Sequence, residues 1–337
     1  MRLVRFSRGG TNPRLGAVLG TWNRWEAIVD LHASDATLPT DMRTFLDLAG
    51  GLSGETWDRA QKVLRESDGK TRGTDRVFGA KEVRFHTPIS PRLLRDFLAF
   101  RGHVARTRAA MGTSVAAEWD LMPAYYNGNH LSVIGPEDPV PAMHYKVHQG
   151  GRMHTVESLK LDYEAEVAFV LGTSGHRIES SDAAGYLFGV TIFNDFSARD
   201  IQIMAGKIGM GPAPGKDWAN ALGPCIVTRD EFGDLETQQV AVRVNGEERL
   251  RGRYRDLVYK NPFVKPGERA VWSFPEMLEF LSRSQTVHAG EVWGSGTIPG
   301  GCEFEQGEKA RYLRPGDRVE IEIEGIGVLA NPVVPAA

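Results

Sequence analysis

The chain has 337 residues, of which 41% are hydrophobic and 25% charged, and its formal net charge is −3. That balance excludes a disordered polymer and argues against a protein whose main business is binding nucleic acid or an anionic membrane. Two cysteines, Cys225 and Cys302, are too few for a disulfide framework or a cysteine-based zinc site, which fits a reducing compartment.

Residues 1–85 read as a small N-terminal α+β domain. Met1–Phe6 and Arg14–Leu19 have the composition of short strands around Gly9-Gly10 and Asn12-Pro13 turns. Trp25–Leu31 reads as a strand or a short helix, and 42–48 and 54–67 have helical spacing. His32 and His86 carry no chemical company and are read as structural. Arg2, Arg5 and Arg8 precede no apolar core, so no signal peptide is expected, and no run of about 18 apolar residues predicts a membrane span. A cytoplasmic protein is the expectation.

Residues 86–337 read as a second, larger domain rich in strands, making the whole an α+β, β-rich chain. Ser90-Pro91-Arg92 opens a helix or turn into Leu93–His103; if this is helical, Asp96 and His103 share a face. Pro123–His130 is polar and aromatic, and either lines a pocket through Tyr126 or turns a hairpin at Asn127-Gly128.

The most informative stretch follows. Leu161–Val170 reads as a strand, on which Glu164 and Glu166 share one face. Adjacent carboxylates repel unless a cation sits between them. A second apolar run, Phe188–Phe193, ends at Asp195, and Arg199 and Gln202 lie three apart on one side of a short helix. Paired acids on a strand are usually a solvated face; the company of Asp195 is what points to a metal. Carboxylates with open positions suit a hard cation such as Mg²⁺ or Mn²⁺, with Ca²⁺ as its stand-in in a crystal.

Beyond Gln202, a Gly/Pro-rich loop ends at Lys216, which suggests either a lid with an anion contact or a plain surface lysine. Val240–Val244 runs into an Asn245-Gly246 hairpin, and Phe274–Ser284 reads as a helix. Gly294-Ser295-Gly296-Thr297 with Gly300-Gly301 lets backbone amides approach a ligand. Arg318–Glu324 alternates cleanly, with its carboxylates toward solvent.

Taken together, these runs resemble the fumarylacetoacetate hydrolase superfamily over residues about 90 to 331. The matching segments are Asp96-Phe97 through His103, Leu161–Glu166, Asn194–Gln202, Gly215-Lys216, Gly294–Thr297 and Leu313–Asn331. The resemblance implies a mixed β-roll catalytic domain, a homodimer, and Mg²⁺ or Mn²⁺ held by Glu164, Glu166, Asp195 and Asp96. It implies His103 as the general base that activates water. Lys216, Arg199 and Gln202 then match positions that bind and polarise substrate oxygens, Thr297 and Gly296 a carboxylate end, and Tyr126 a pocket tyrosine. The implied substrate is a small 2-oxo acid or 1,3-diketone. The implied reaction is hydrolysis of a carbon–carbon bond in an acylpyruvate-like compound, with oxaloacetate-type decarboxylation or keto–enol isomerisation as the alternative. Two positions depart from the family's hydrolases: Leu98 replaces a tyrosine and Asn129 an arginine. The carboxylate that partners His103 is left open among Glu303, Glu305 and Glu308.

Overall fold

A computed structural model describes residues 1–67 and 75–336. The expected unit 1–85 thus includes residues 68–74, which lie outside the described ones.

One large sheet organises the molecule. Its path runs Val77–Gly79, Arg24–Asp30, Arg14–Thr21, Arg2–Ser7, Asn220–Thr228, Leu187–Asp195, Ala165–Leu171, Glu291–Gly294, Leu93–Phe97 and Tyr125–Gly128. The N-terminal strands therefore continue the sheet of the second half: Arg2 and Leu3 pair antiparallel with Val227 and Ile226. The division at residue 85 is carried forward as a proposal of two units that share this sheet.

The central strands are buried on both faces, and their apolar runs are interrupted by a few polar residues, among them Glu166 and Asp195. One face packs on a five-stranded sheet built from Glu247–Arg253, Gln239–Val244, Arg318–Ile323, Gly327–Val334 and Val140–Pro141. Val167 and Ile192 meet Val242, Ile321 and Leu329 in that core. The other face is covered by the helices Met42–Ala49 and Glu55–Ser67, through Phe45, Leu46 and Trp57 against Val170, Phe188 and Ile226. Asp41 caps the first of these helices by accepting from the Thr44 N–H at 3.0 Å. Trp25–Leu31 resolves as the strand Arg24–Asp30 followed by a single helical turn. Among the described residues, no helix is long and apolar enough to cross a membrane.

One expectation fails. Leu93–His103 is not one helix: Leu93–Phe97 is a strand parallel to Glu291–Gly294, and the helix is Arg101–Ala110. Sheet pairing outweighs the local helical spacing, and Phe100 breaks the segment with extended backbone. Asp96 and His103 therefore meet through tertiary packing, not through a shared helical face. Gly102 lies within that helix, and a Cβ there would lie 2.6 Å from the Asn261 amide, so the close packing favours glycine.

Candidate active site

Two antiparallel strand ends and one parallel strand bring four carboxylates together. Asp195 is the last residue of Leu187–Asp195, which pairs with Ala165–Leu171 in the register Ala165↔Asn194. Glu166 lies in that second strand and Glu164 just before it. Glu291–Gly294 pairs with the other edge, through Ala168↔Gly294, and Gly294 in turn faces Asp96 on Leu93–Phe97. Ligand atoms of Asp96, Glu164, Glu166 and Asp195 all lie within 4.8 Å of one another. Glycine at 294 makes the convergence possible. A Cβ there would sit 2.7 Å from Asp96 Oδ1 and 2.8 Å from Glu166 Oε2.

None of the four is on a solvated face, since their exposures are 5% or less. Burial and the neighbouring carboxylates push Asp96 and Glu166 well above the usual carboxylate range. Asp195 is pushed up to about 6 by burial, with Lys216 working against the rise. Burial works to raise Glu164 as well, but Lys216 and Arg199 outweigh it and hold that group below its ordinary value. Lys216 is raised in turn: burial disfavours its charge, and Asp195 and Glu164 more than restore it. Its Nζ lies 2.5 Å from Glu164 Oε2 and also donates to Asp195 Oδ2.

The donor set fits a hard cation. Asp96 Oδ1, Glu166 Oε1 and Asp195 Oδ1 are buried and have no hydrogen-bond partner among the described residues. A buried carboxylate oxygen left without a donor is costly, and an oxygen-only set of this size is what Mg²⁺, Mn²⁺ or Ca²⁺ prefers. The remaining oxygens are aimed by fixed partners. Tyr126 donates its hydroxyl to Asp195 Oδ2 at 2.8 Å, and the Gly296 N–H donates to Glu166 Oε2 at 2.9 Å. Gly296 holds φ +82°, and a Cβ would meet the Phe97 carbonyl at 2.3 Å, so glycine is required there.

Arg199 opens the helix Arg199–Ile208. Its guanidinium reaches Glu164 Oε1 at 2.7 Å and donates to Gln202 Oε1 at 3.0 Å, which bears out the three-residue spacing. Its other edge is clamped by Asp162, at 2.8 Å from Nε. Asp162 is a residue that sequence reasoning passed over. It is fully buried and accepts from the N–H groups of Tyr163 and Glu303 through Oδ1 and from that of Phe304 through Oδ2. The signal was present: Asp162, Glu164 and Glu166 follow the same alternation.

Glu305 is the partner of His103, whose Nδ1 lies 2.7 Å from Glu305 Oε1. The Gly300 N–H fixes the second oxygen of Glu305 at 2.7 Å. Glu303 turns away to accept from Tyr163, Arg249 and the Arg311 N–H, and Glu308 is exposed. With Nδ1 donating to a carboxylate, the network assigns Nε2 as the ring atom free to accept a proton.

The two clusters share one cavity of about 600 Å³, lined by Asp96, His103, Tyr126, Glu164, Arg199 and Lys216 among others. Gln202, Gly296 and Thr297 line it too. The Thr297 hydroxyl is buried without a partner among the described residues and so is free to donate there. The metal, catalytic and substrate-binding candidates thus lie in or beside this cavity, with Glu166 and Asp195 behind its wall beside Asp96 and Glu164. Pro123–His130 is a wall, not a hairpin turn: Tyr125–Gly128 is a strand paired with Leu93–Phe97. Leu98 also lines the cavity, whereas Asn129 is spent on the Asp217 carbonyl at 3.0 Å.

Comparison with known proteins agrees with this arrangement. The family described as "Fumarylacetoacetate (FAA) hydrolase C-terminal" matches residues 92–334. The oxaloacetate tautomerase YisK of Bacillus subtilis is 30% identical over 258 residues, which is 76% of this chain and 75% of that one. The mitochondrial oxaloacetate tautomerase fahd2 of Xenopus laevis is 28% identical over 99% of this chain and 90% of its own. A solved structure, the fumarylacetoacetate hydrolase from psychrophilic Exiguobacterium antarcticum, superposes over all of both chains with a TM-score of 0.65 at 27% identity. With its strand-rich fold and a family match over most of its length, this chain belongs to the fumarylacetoacetate hydrolase family.

Proposed function

We propose that this protein moves a proton at the carbon beside the carbonyl of a 2-oxo acid, as a divalent-metal-dependent keto–enol tautomerase. The observation that carries the reading is the buried set Asp96, Glu164, Glu166 and Asp195, which reaches the cavity through Asp96 and Glu164 where His103, paired with Glu305, also lines it. Those four residues would hold Mg²⁺ or Mn²⁺, which supplies a Lewis acid that stabilises enolate charge. The rest falls to the chain. His103 Nε2 takes the proton from the substrate carbon and hands it to the enolate oxygen, the reverse order turning enol into ketone; Glu305 keeps the ring oriented and offsets the imidazolium charge. Lys216 and Arg199 offset negative charge on substrate oxygens, with Gln202 holding the Arg199 fork. Thr297 donates to the carboxylate end. Tyr126 keeps Asp195 aimed.

The tautomerase reading moves ahead of carbon–carbon hydrolysis because two long matches carry the name oxaloacetate tautomerase. Leu98, where the sequence comparison expected a tyrosine, removes a polar contact from the cavity and favours the same order. Hydrolysis stays as the second reading, since a carboxylate-oriented histidine can equally activate a water. Product analysis separates them. With Mg²⁺ and oxaloacetate or an acylpyruvate, the first reading expects faster enol–keto equilibration with no new acids. Two acid fragments, or CO₂ released faster than in the enzyme-free control with Mg²⁺, would overturn it. A homodimer is proposed as the assembly, and sedimentation at micromolar concentration tests it.

A further inference from the structure

A thiol that the reaction does not use stands beside the histidine that it does. Cys302 Sγ lies 4.0 Å from His103 Nδ1 and 3.9 Å from Glu305 Oε1. With Nδ1 and Oε1 at 2.7 Å, the three atoms form a compact triangle. His103 comes from the first turn of Arg101–Ala110, whereas Cys302 and Glu305 sit three apart at the entry to Phe304–Lys309. All three residues are buried.

A buried cysteine is ordinarily a small apolar side chain. Cys225 is one: it belongs to the apolar core with Val227 and Leu329, and it donates to the Ile326 carbonyl at 3.4 Å. Cys302 joins no apolar cluster among the described residues. It lines a second cavity of about 260 Å³, with Tyr163, Arg249, Glu303 and Lys309. The triangle is thus reached from that cavity through Cys302 and from the larger one through His103.

Nitrogen, sulfur and carboxylate oxygen with a fourth position open make a donor set for Zn²⁺, not for Mg²⁺. Tetrahedral Zn²⁺ holds such atoms roughly 3.3–3.6 Å apart, so each pair needs to shift by about half an ångström. The outer contacts are in place. Glu305 Oε2 accepts from the Gly300 N–H at 2.7 Å and faces Arg106 Nε at 3.5 Å, which leaves Oε1 to a metal.

We infer that His103 Nδ1, Cys302 Sγ and Glu305 Oε1 form a second metal site, for Zn²⁺ or a like thiophilic ion, that switches the enzyme off. Zn²⁺ takes the Nδ1 lone pair, so the imidazole proton moves to Nε2, and the Cys302 thiol gives its proton to solvent. Nε2 then has no lone pair for the substrate. The site stands independently of the 2-oxo-acid reading; the inhibition rests on that reading's base, His103.

The test uses the full chain in excess Mg²⁺, with Co²⁺ added as a spectroscopic stand-in for Zn²⁺. A cobalt–thiolate bond gives a charge-transfer band that oxygen ligands do not. The band is expected to saturate with Co²⁺ and to vanish on adding Zn²⁺. Cys302→Ala and Cys302→Ser are expected to lack it and Cys225→Ser to keep it. Zn²⁺ should lower turnover of the unaltered protein by about 10²–10⁴-fold, the share of a general base. Cys302→Ser, which keeps the basal rate, should need at least about tenfold more Zn²⁺ for the same loss. No band in the unaltered protein, or one that survives both Cys302 variants, overturns the site. Equal zinc sensitivity of the unaltered protein and Cys302→Ser overturns the inhibition and places the ion on the carboxylates. A band in protein without tautomerase activity supports the site and overturns the function proposed above.

Discussion

Burying four carboxylates together with one lysine and one arginine nearby is unfavourable in isolation, so these side chains record a constraint other than stability. A pH dependence follows. Asp96, Glu166 and Asp195 have folded-state pKa values raised above their unfolded ones. The native state then binds more protons than the unfolded state between the ordinary carboxylate range and about 6, the value of Asp195. Stability of the metal-free protein therefore falls as pH rises through that window. Glu164 is lowered and has the opposite sign: its contribution is kept above its unfolded pKa and lost only in strong acid. Thermal melting in a chelator from pH 4.5 upward checks this, and a melting temperature that rises to pH 6 contradicts it. A second prediction concerns His103. His103→Ala should lower kcat by roughly 10²–10⁴-fold, the usual share of a general base, while Mn²⁺ binding is retained. Steady-state kinetics beside a Mn²⁺ titration reads both. These residues were legible from the sequence because alternation and the strand end mark Glu164, Glu166 and Asp195. Glu305 was not separable from Glu303 and Glu308, because a short 3₁₀ segment, Phe304–Lys309, decides which one turns inward.

The strands place what the residues do. Gly294 sits between Asp96 and Glu166 and has no room for a methyl. Gly294→Ala should therefore weaken Mn²⁺ affinity by about tenfold or more, as loss of metal-site geometry commonly does. Electron paramagnetic resonance of bound Mn²⁺ measures it, and an unchanged affinity would remove Gly294 from the account. Asp162 joins Arg199 to the turn that carries Glu305. It lies on neither cluster, yet it positions parts of both. Neither the helix nor the turn expected over Leu93–His103 names its strand half, because that half is set by pairing with Glu291–Gly294, nearly two hundred residues away. Local spacing carries no trace of such a partner. The Asn245-Gly246 hairpin and the helix Phe274–Ser282, by contrast, have turn and capping chemistry in their own residues, and the structure matches them.

Across the molecule, the strand-rich fold and the family were readable because ordered motifs span most of the chain. The way residues 1–85 attach was not, since nothing in Arg2–Ser7 announces that it pairs with Asn220–Thr228. That pairing has a consequence. A chain of residues 86–337 alone exposes the edge of Asn220–Thr228 and the apolar face under Phe45 and Trp57. Such an edge templates association, so the truncated chain should aggregate on size-exclusion chromatography. A monodisperse, metal-binding fragment would instead make the second unit independent.

The grip of Asp96, Glu164, Glu166 and Asp195 on a divalent ion is tested most directly by titrating Mn²⁺ into the metal-free full chain and its Glu166→Gln variant. The structure leads us to expect one equivalent bound by the unaltered protein, with proton release, and affinity lowered by about two orders of magnitude or lost in the variant. Undiminished stoichiometric binding by Glu166→Gln, or no binding by the unaltered protein, would contradict it.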